Sequence, residues 1–88
     1  MAIDNKYGRI TTEFGSIGED EPVVVFRARD VLLPDVLSYY LHKCAQRGSP
    51  KKHLNLIRST EGKVGAWQHA NPDKVQVPQS ADYQPRAK

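Results

Sequence analysis

Glu21-Pro22-Val23-Val24-Val25-Phe26-Arg27-Ala28-Arg29-Asp30 is the most apolar run in the chain. Three consecutive valines and a phenylalanine suit a pleated, half-buried backbone. The run reads as the central strand of a sheet. Alternation along a strand sends Val24, Phe26 and Ala28 to one face and Val23, Val25, Arg27 and Arg29 to the other. The second set ends in two arginines, so the first is expected to face the core. Val23 and Val25 then need cover from a partner strand, a helix or a second subunit.

Turn residues set the limits of this run. Upstream, Gly15-Ser16-Ile17-Gly18-Glu19-Asp20-Glu21-Pro22 combines two glycines, a proline and three acids, which is loop chemistry. Before it, residues 9–14 carry β-formers, with Ile10, Thr12 and Phe14 sharing a face if extended, and predict a short strand. Residues 1–8 read as a flexible start. Downstream, Leu33, Leu37, Tyr40, Leu41 and Cys44 recur at helical spacing. Pro34 and Asp35 suit a first helical turn, and Lys43, Arg47 and Gly48 suit a last one. The spacing predicts a helix over 33–47.

A second helix is predicted over 50–69, with Ser49 as its N-cap and Pro50 at its first position. His53, Ile57, Thr60, Val64 and Trp67 would form its inner stripe, with Leu54 beside them. Gly62 and Gly65 each cost about 1 kcal/mol in a helix interior, so a break near Gly62 is the competing prediction. Asn71-Pro72-Asp73 stops the helix, and residues 74–78 form a short extended piece. Residues 79–88 read as a disordered tail. The expected fold is α+β: a small antiparallel β-sheet packed by an antiparallel helical hairpin, in one domain spanning 9–78.

A chain of 88 residues buries a smaller fraction of its surface than a longer one, so its stability is marginal. Self-association is a natural way to bury more. The hydrophobic fraction is 39%, the charged fraction 26% and the net charge +3, which permits a polyanionic partner without requiring one. The single cysteine, Cys44, allows no internal disulfide and fits a reducing compartment. The N-terminus has no signal-peptide pattern, and no apolar run approaches the roughly 20 residues needed to span a bilayer.

Glu13-Phe14-Gly15-Ser16-Ile17, then Asp20-Glu21-Pro22-Val23-Val24-Val25-Phe26-Arg27-Ala28-Arg29-Asp30, then Pro34 and Tyr40, resembles a set of small proteins of tailed bacteriophages. In these an EFG-x-I phrase leads into DEPVFVLRA-x-D. An amphipathic helix follows, and a tryptophan-glutamine pair lies near the end of a second helix. Trp67-Gln68 matches that pair. The resemblance covers residues 13–70 and departs at Lys51-Lys52-His53, Gly62 and Gly65. It brings no catalytic residues. It implies a phage origin, the cytoplasm of an infected bacterium, and action by stoichiometric binding.

The residues themselves offer three candidate sites. The first is the junction of the two helices: Lys43, Arg47, Ser49, Lys51, Lys52 and His53, with Arg58 further on. Residues 42–63 hold six Lys or Arg (43, 47, 51, 52, 58, 63) against Glu61, a local balance of +5. A helix N-terminus presents unpaired N–H groups, so two lysines there could build a phosphate site. Lys51 and Lys52 oppose the helix dipole, and broken local rules favour functional positions. The competing assignment is a solvated loop. The second candidate is Arg27 with Arg29, a pair able to grip phosphates or carboxylates, or to pair with Glu13 or the acidic loop. The third is Tyr39, which lies off the apolar stripe, whereas Tyr40 and Trp67 lie at core spacings.

No metal site is expected. His42 and Cys44 are two apart and do not share a helix face, and His53 and His69 lack ligand spacing. Phosphate-loop, paired-carboxylate and Ser-His-Asp patterns are missing. The leading expectation is therefore a non-enzymatic protein with no cofactor, a homo-oligomer that binds a host or phage protein. The alternative is a binder of nucleotides or nucleic acid through the basic junction.

Overall fold

The computed structural model describes residues 2–4 and 6–78. The tail expected over 79–88 lies outside the described residues. The chain divides into two compact units: residues up to Phe26 together with Pro78, and Arg27–Val77. The class is α+β: a small three-stranded mixed sheet and a pair of packed helices.

The first unit holds the sheet. Its strands are β1 (Ala2–Asp4), β2 (Gly8–Ile10) and β3 (Pro22–Val23), in the order β2-β1-β3. β1 and β2 are antiparallel, with Ile3 opposite Arg9. β1 and β3 are parallel, with Ile3 opposite Pro22 and Asp4 opposite Val23. The sheet is thus mixed rather than wholly antiparallel, and its centre is β1 rather than residues 22–29. Residues 2–4, expected to be part of a flexible start, form that central strand. The strand expected over 9–14 ends at Ile10, and Phe14 stands exposed beside Gly15, whose φ of +74° turns the chain.

Asp4 explains this arrangement. Its side chain is buried, and Oδ1 accepts from the backbone N–H groups of Lys6 and Tyr7, both at 2.7 Å. Such a local carboxylate–backbone pair closes a tight turn, and Gly8 completes it at φ +86°. Oδ2 accepts from the N–H of Val25 at 2.8 Å. One carboxylate therefore joins the β1–β2 turn to the segment leaving β3. Burial by itself raises the Asp4 pKa. The N–H groups of Tyr7, Val25 and Lys6, with the Lys6 charge, outweigh that and hold it below its ordinary value.

Beyond Val23 the backbone leaves the ladder. Val25 spends its N–H on a side chain, and among the described residues no strand pairs with residues 24–27. Over residues 23–26 the faces are also the reverse of those expected, while Ala28 is half-buried and Arg27 exposed as expected. Val23 and Val25 are half-buried, while Val24 is 73% exposed and Phe26 49%. Arg27 and Arg29 do not extend the strand's alternation, because the chain turns there, with the Asp30 N–H on the Arg27 carbonyl at 2.9 Å.

The second unit is the helical hairpin, α1 (Leu33–Gln46) and α2 (Lys51–Ala70), followed by one 3-10 turn at Pro72–Lys74. Its small core is Leu33, Cys44, Ile57 and Val64. Leu37, Leu41, Leu54 and Trp67 are half-buried around it. His53 and Thr60, expected on the inner stripe, are exposed, as is nearly half of Tyr40. The inward line of α2 instead follows Leu54, Ile57, Glu61, Val64 and Gln68. α2 passes through Gly62 and Gly65 without a break, and both face open space.

Gln68 ties the hairpin to the segment before α1. Its Nε2 donates to the carbonyls of Ala28 at 2.8 Å and Asp30 at 2.9 Å. Residues 29–31 also pair with Gln76: the Gln76 N–H bonds the Arg29 carbonyl, and the Val31 N–H bonds the Gln76 carbonyl. That is the extended piece expected over 74–78, reduced to one parallel bridge because residues 72–74 take the 3-10 turn. Among the described residues no helix is long and apolar enough to cross a membrane.

Candidate functional site

The bend between α1 and α2 brings the first group of candidate residues together. α1 ends in a paired 6→1 and 5→2 closure: the Ser49 N–H bonds the Cys44 carbonyl at 3.0 Å, and the Gly48 N–H bonds the Ala45 carbonyl at 3.2 Å. The motif needs a left-handed residue, and Gly48 supplies it at φ +79°. Ser49 is thereby committed to the end of α1 and does not cap α2. Pro50 takes the cap position with an extended ψ of 148°, and its carbonyl accepts from His53 and Leu54. No side chain caps α2 and its first turn holds no acid.

Lys43, Arg47, Lys51, Lys52 and His53 all lie on or beside this bend, and all are exposed. Arg58 is also exposed, two turns into α2, and its Nη1 donates to Asn55 Oδ1 at 3.3 Å. The Lys43 ammonium lies 5.9 Å from the Tyr39 ring centroid, a weak cation–π contact. The His53 ring meets Tyr40 edge to face at 6.1 Å. A hydrogen bond with Cys44 raises the Tyr40 hydroxyl above its ordinary pKa. Among the described residues no carboxylate pairs with Lys43, Arg47, Lys51, Lys52, Arg58 or Lys63. The bend is therefore a rim of unneutralised cations beside an aromatic–imidazole contact, able to attract a polyanion.

Arg27 and Arg29 do not form the expected pair on one strand face. Arg27 is exposed and Arg29 half-buried, across the turn described above. Tyr39 is 66% exposed, as its position off the stripe predicts. Trp67 is half-buried, and its carbonyl accepts from Asn71 Nδ2 at 2.9 Å. Among the described residues no group of three or more His, Cys, Asp or Glu could hold a metal ion.

Two features went unnoticed in the sequence. One is an outer stripe on α1. Leu32, Val36, Tyr39 and Lys43 recur at i, i+4, i+7 and i+11 and so share a face. Leu32, Val36 and Tyr39 are exposed, and Tyr40 stands between them and the core stripe. The dominant Leu33-Leu37-Leu41-Cys44 pattern hid this second line, although its spacing was readable. The other is the 24–26 segment. It runs on from β3 outside any strand, with two outward apolar side chains, and neither Val24 nor Phe26 makes a backbone hydrogen bond among the described residues. No sequence signal separates such a segment from a paired strand.

Comparison with known proteins finds no matching family model, no similar curated protein and no similar solved structure.

Proposed function

We propose that this protein is a non-enzymatic bacteriophage accessory protein, acting in the host bacterial cytoplasm by stoichiometric binding to a host or phage protein. The phage assignment rests on the resemblance of residues 13–70. The binding assignment rests on residues 24–26. A segment that runs on from β3 with the N–H and C=O groups of Val24 and Phe26 open offers a template for strand addition, in which main-chain bonds give affinity and alternate side chains give specificity. Val24 and Phe26 supply the two apolar anchors on one side. The chain acts as a homo-oligomer, since so short a chain leaves much of its apolar surface in water.

Native mass spectrometry of full-length protein, purified gently from its bacterial host, tests this. The expected result is a complex with a second protein at a fixed ratio. Val24→Ser with Phe26→Ser should weaken that complex by about a hundredfold, the equivalent of two lost apolar anchors, with the helical circular-dichroism signal unchanged. A complex indifferent to the double substitution, or no retained protein, overturns the reading.

The unneutralised cations of the bend favour a second reading, binding of nucleotides or nucleic acid. A labelled single-stranded oligonucleotide should then bind with an affinity that falls steeply with salt, and Lys51→Glu with Lys52→Glu should abolish binding. Flat salt dependence in fluorescence anisotropy would rule out a polynucleotide.

A further inference from the structure

We propose that the outer stripe of α1 is the self-association surface, and that two copies pair through antiparallel α1 helices about a two-fold axis at Tyr39. This rests on the homo-oligomer part of the reading above and names the face that does it. The core stripe of α1 is used within the chain by Leu33 and Cys44, which are buried. The adjacent line, Leu32, Val36 and Tyr39 with the Lys43 stem, is apolar and exposed. Helices pair along such a line when apolar residues recur at three- and four-residue intervals.

The charges decide both the occupant and the direction. Asp35 lies four residues before Tyr39 and Lys43 four residues after it, one turn away on either side. Both are exposed and neither is ion-paired among the described residues. Within one helix they are two turns apart and cannot meet. In an isologous pair, where residue i meets j and j meets i, a two-fold at Tyr39 sets Asp35 of each copy level with Lys43 of the other. Two complementary pairs then flank a central tyrosine contact. A parallel arrangement would set Asp35 against Asp35 and Lys43 against Lys43. Antiparallel pairing also opposes the two helix dipoles favourably.

Sedimentation equilibrium of the full-length protein, from about 1 μM to about 1 mM, a range chosen to span weak dimers, provides the test. The expected result is a reversible dimer. Asp35→Lys and Lys43→Asp should each raise its dissociation constant by about tenfold or more, since each converts two attractive contacts into repulsive ones. The double variant should return to the wild-type value. Tyr39→Cys should form an intermolecular disulfide on mild oxidation, because a residue on the axis meets its own copy, whereas Leu56→Cys, exposed on α2, should not. The native Cys44 is buried and does not compete. A monomer throughout this range, or a dimer whose affinity ignores the charge reversals, overturns the inference. A monomer that still retains a second protein through Val24 and Phe26 defeats this inference and leaves the binding reading standing. A dimer that retains no second protein does the reverse.

Discussion

Asp4→Ala is expected to open the sheet unit at neutral pH. The substitution strands three backbone donors at once, the N–H groups of Lys6, Tyr7 and Val25, each now held at 2.7–2.8 Å by one carboxylate. A buried donor left unpaired costs more than the hydrogen bond contributed, because its water partners were given up on folding. The three strands hold only two or three residues each and cannot compensate. Amide hydrogen exchange at Lys6, Tyr7 and Val25 should accelerate by more than about tenfold, while exchange in Arg27–Val77 stays near wild type, since the three bonds lost all fall within residues 4–25. Unchanged exchange at those three amides would remove Asp4 from its role as the joint of the sheet.

The pH dependence follows from the same bonds. The folded-state pKa of Asp4 is depressed, so its contribution is fully present above the ordinary carboxylate range, about pH 4. It is lost as pH falls through the lower folded value. Exchange at Val25, once corrected for the intrinsic pH dependence of amide exchange, should therefore be flat from neutral pH down to that range and rise below it. Asp4→Asn, which keeps the shape but cannot ionise, should abolish that acid limb and start from a faster baseline.

Leu33→Ala is expected to cost the helical hairpin about 2–5 kcal/mol, the range for deleting a buried leucine side chain. Leu33 is 4% exposed and belongs to a core of four residues, so the cavity has few neighbours able to close it. Total stability of small domains is about 5–15 kcal/mol, and so short a chain lies toward the low end. The loss is thus a large share of the whole. Urea denaturation followed at 222 nm should show the midpoint falling sharply with the slope kept, or no folded baseline at 25 °C. Leu56→Ala removes the same side chain from an exposed position on α2 and should change stability by no more than about 0.5 kcal/mol. Equal effects at the two positions would mean that the core is not where burial places it.

The sequence by itself determined the α+β class and both helices, to within one residue at each end: 33–47 against Leu33–Gln46, and 50–69 against Lys51–Ala70. Helices are local structures. Their spacing, the proline at the start of α1 and the left-handed Gly48 at its end act within a few residues, so a linear reading reaches them. The basic bend was legible for the same reason, because a short connection keeps Lys43, Arg47, Lys51 and Lys52 together. Tertiary structure alone decided the sheet. Pairing joins residues far apart in the chain, and β-propensity reports only how well a residue fits a half-buried pleat once a partner exists. Residues 22–26 have that propensity, yet only Pro22 and Val23 find a partner, and it comes from residues 2–4. The Asp4 carboxylate then takes the Val25 N–H, and the turn at Arg27–Asp30 ends the alternation before the two arginines. The inward face was therefore set by contacts with Asp4, twenty-one residues upstream of Val25, and not by where the arginines stand.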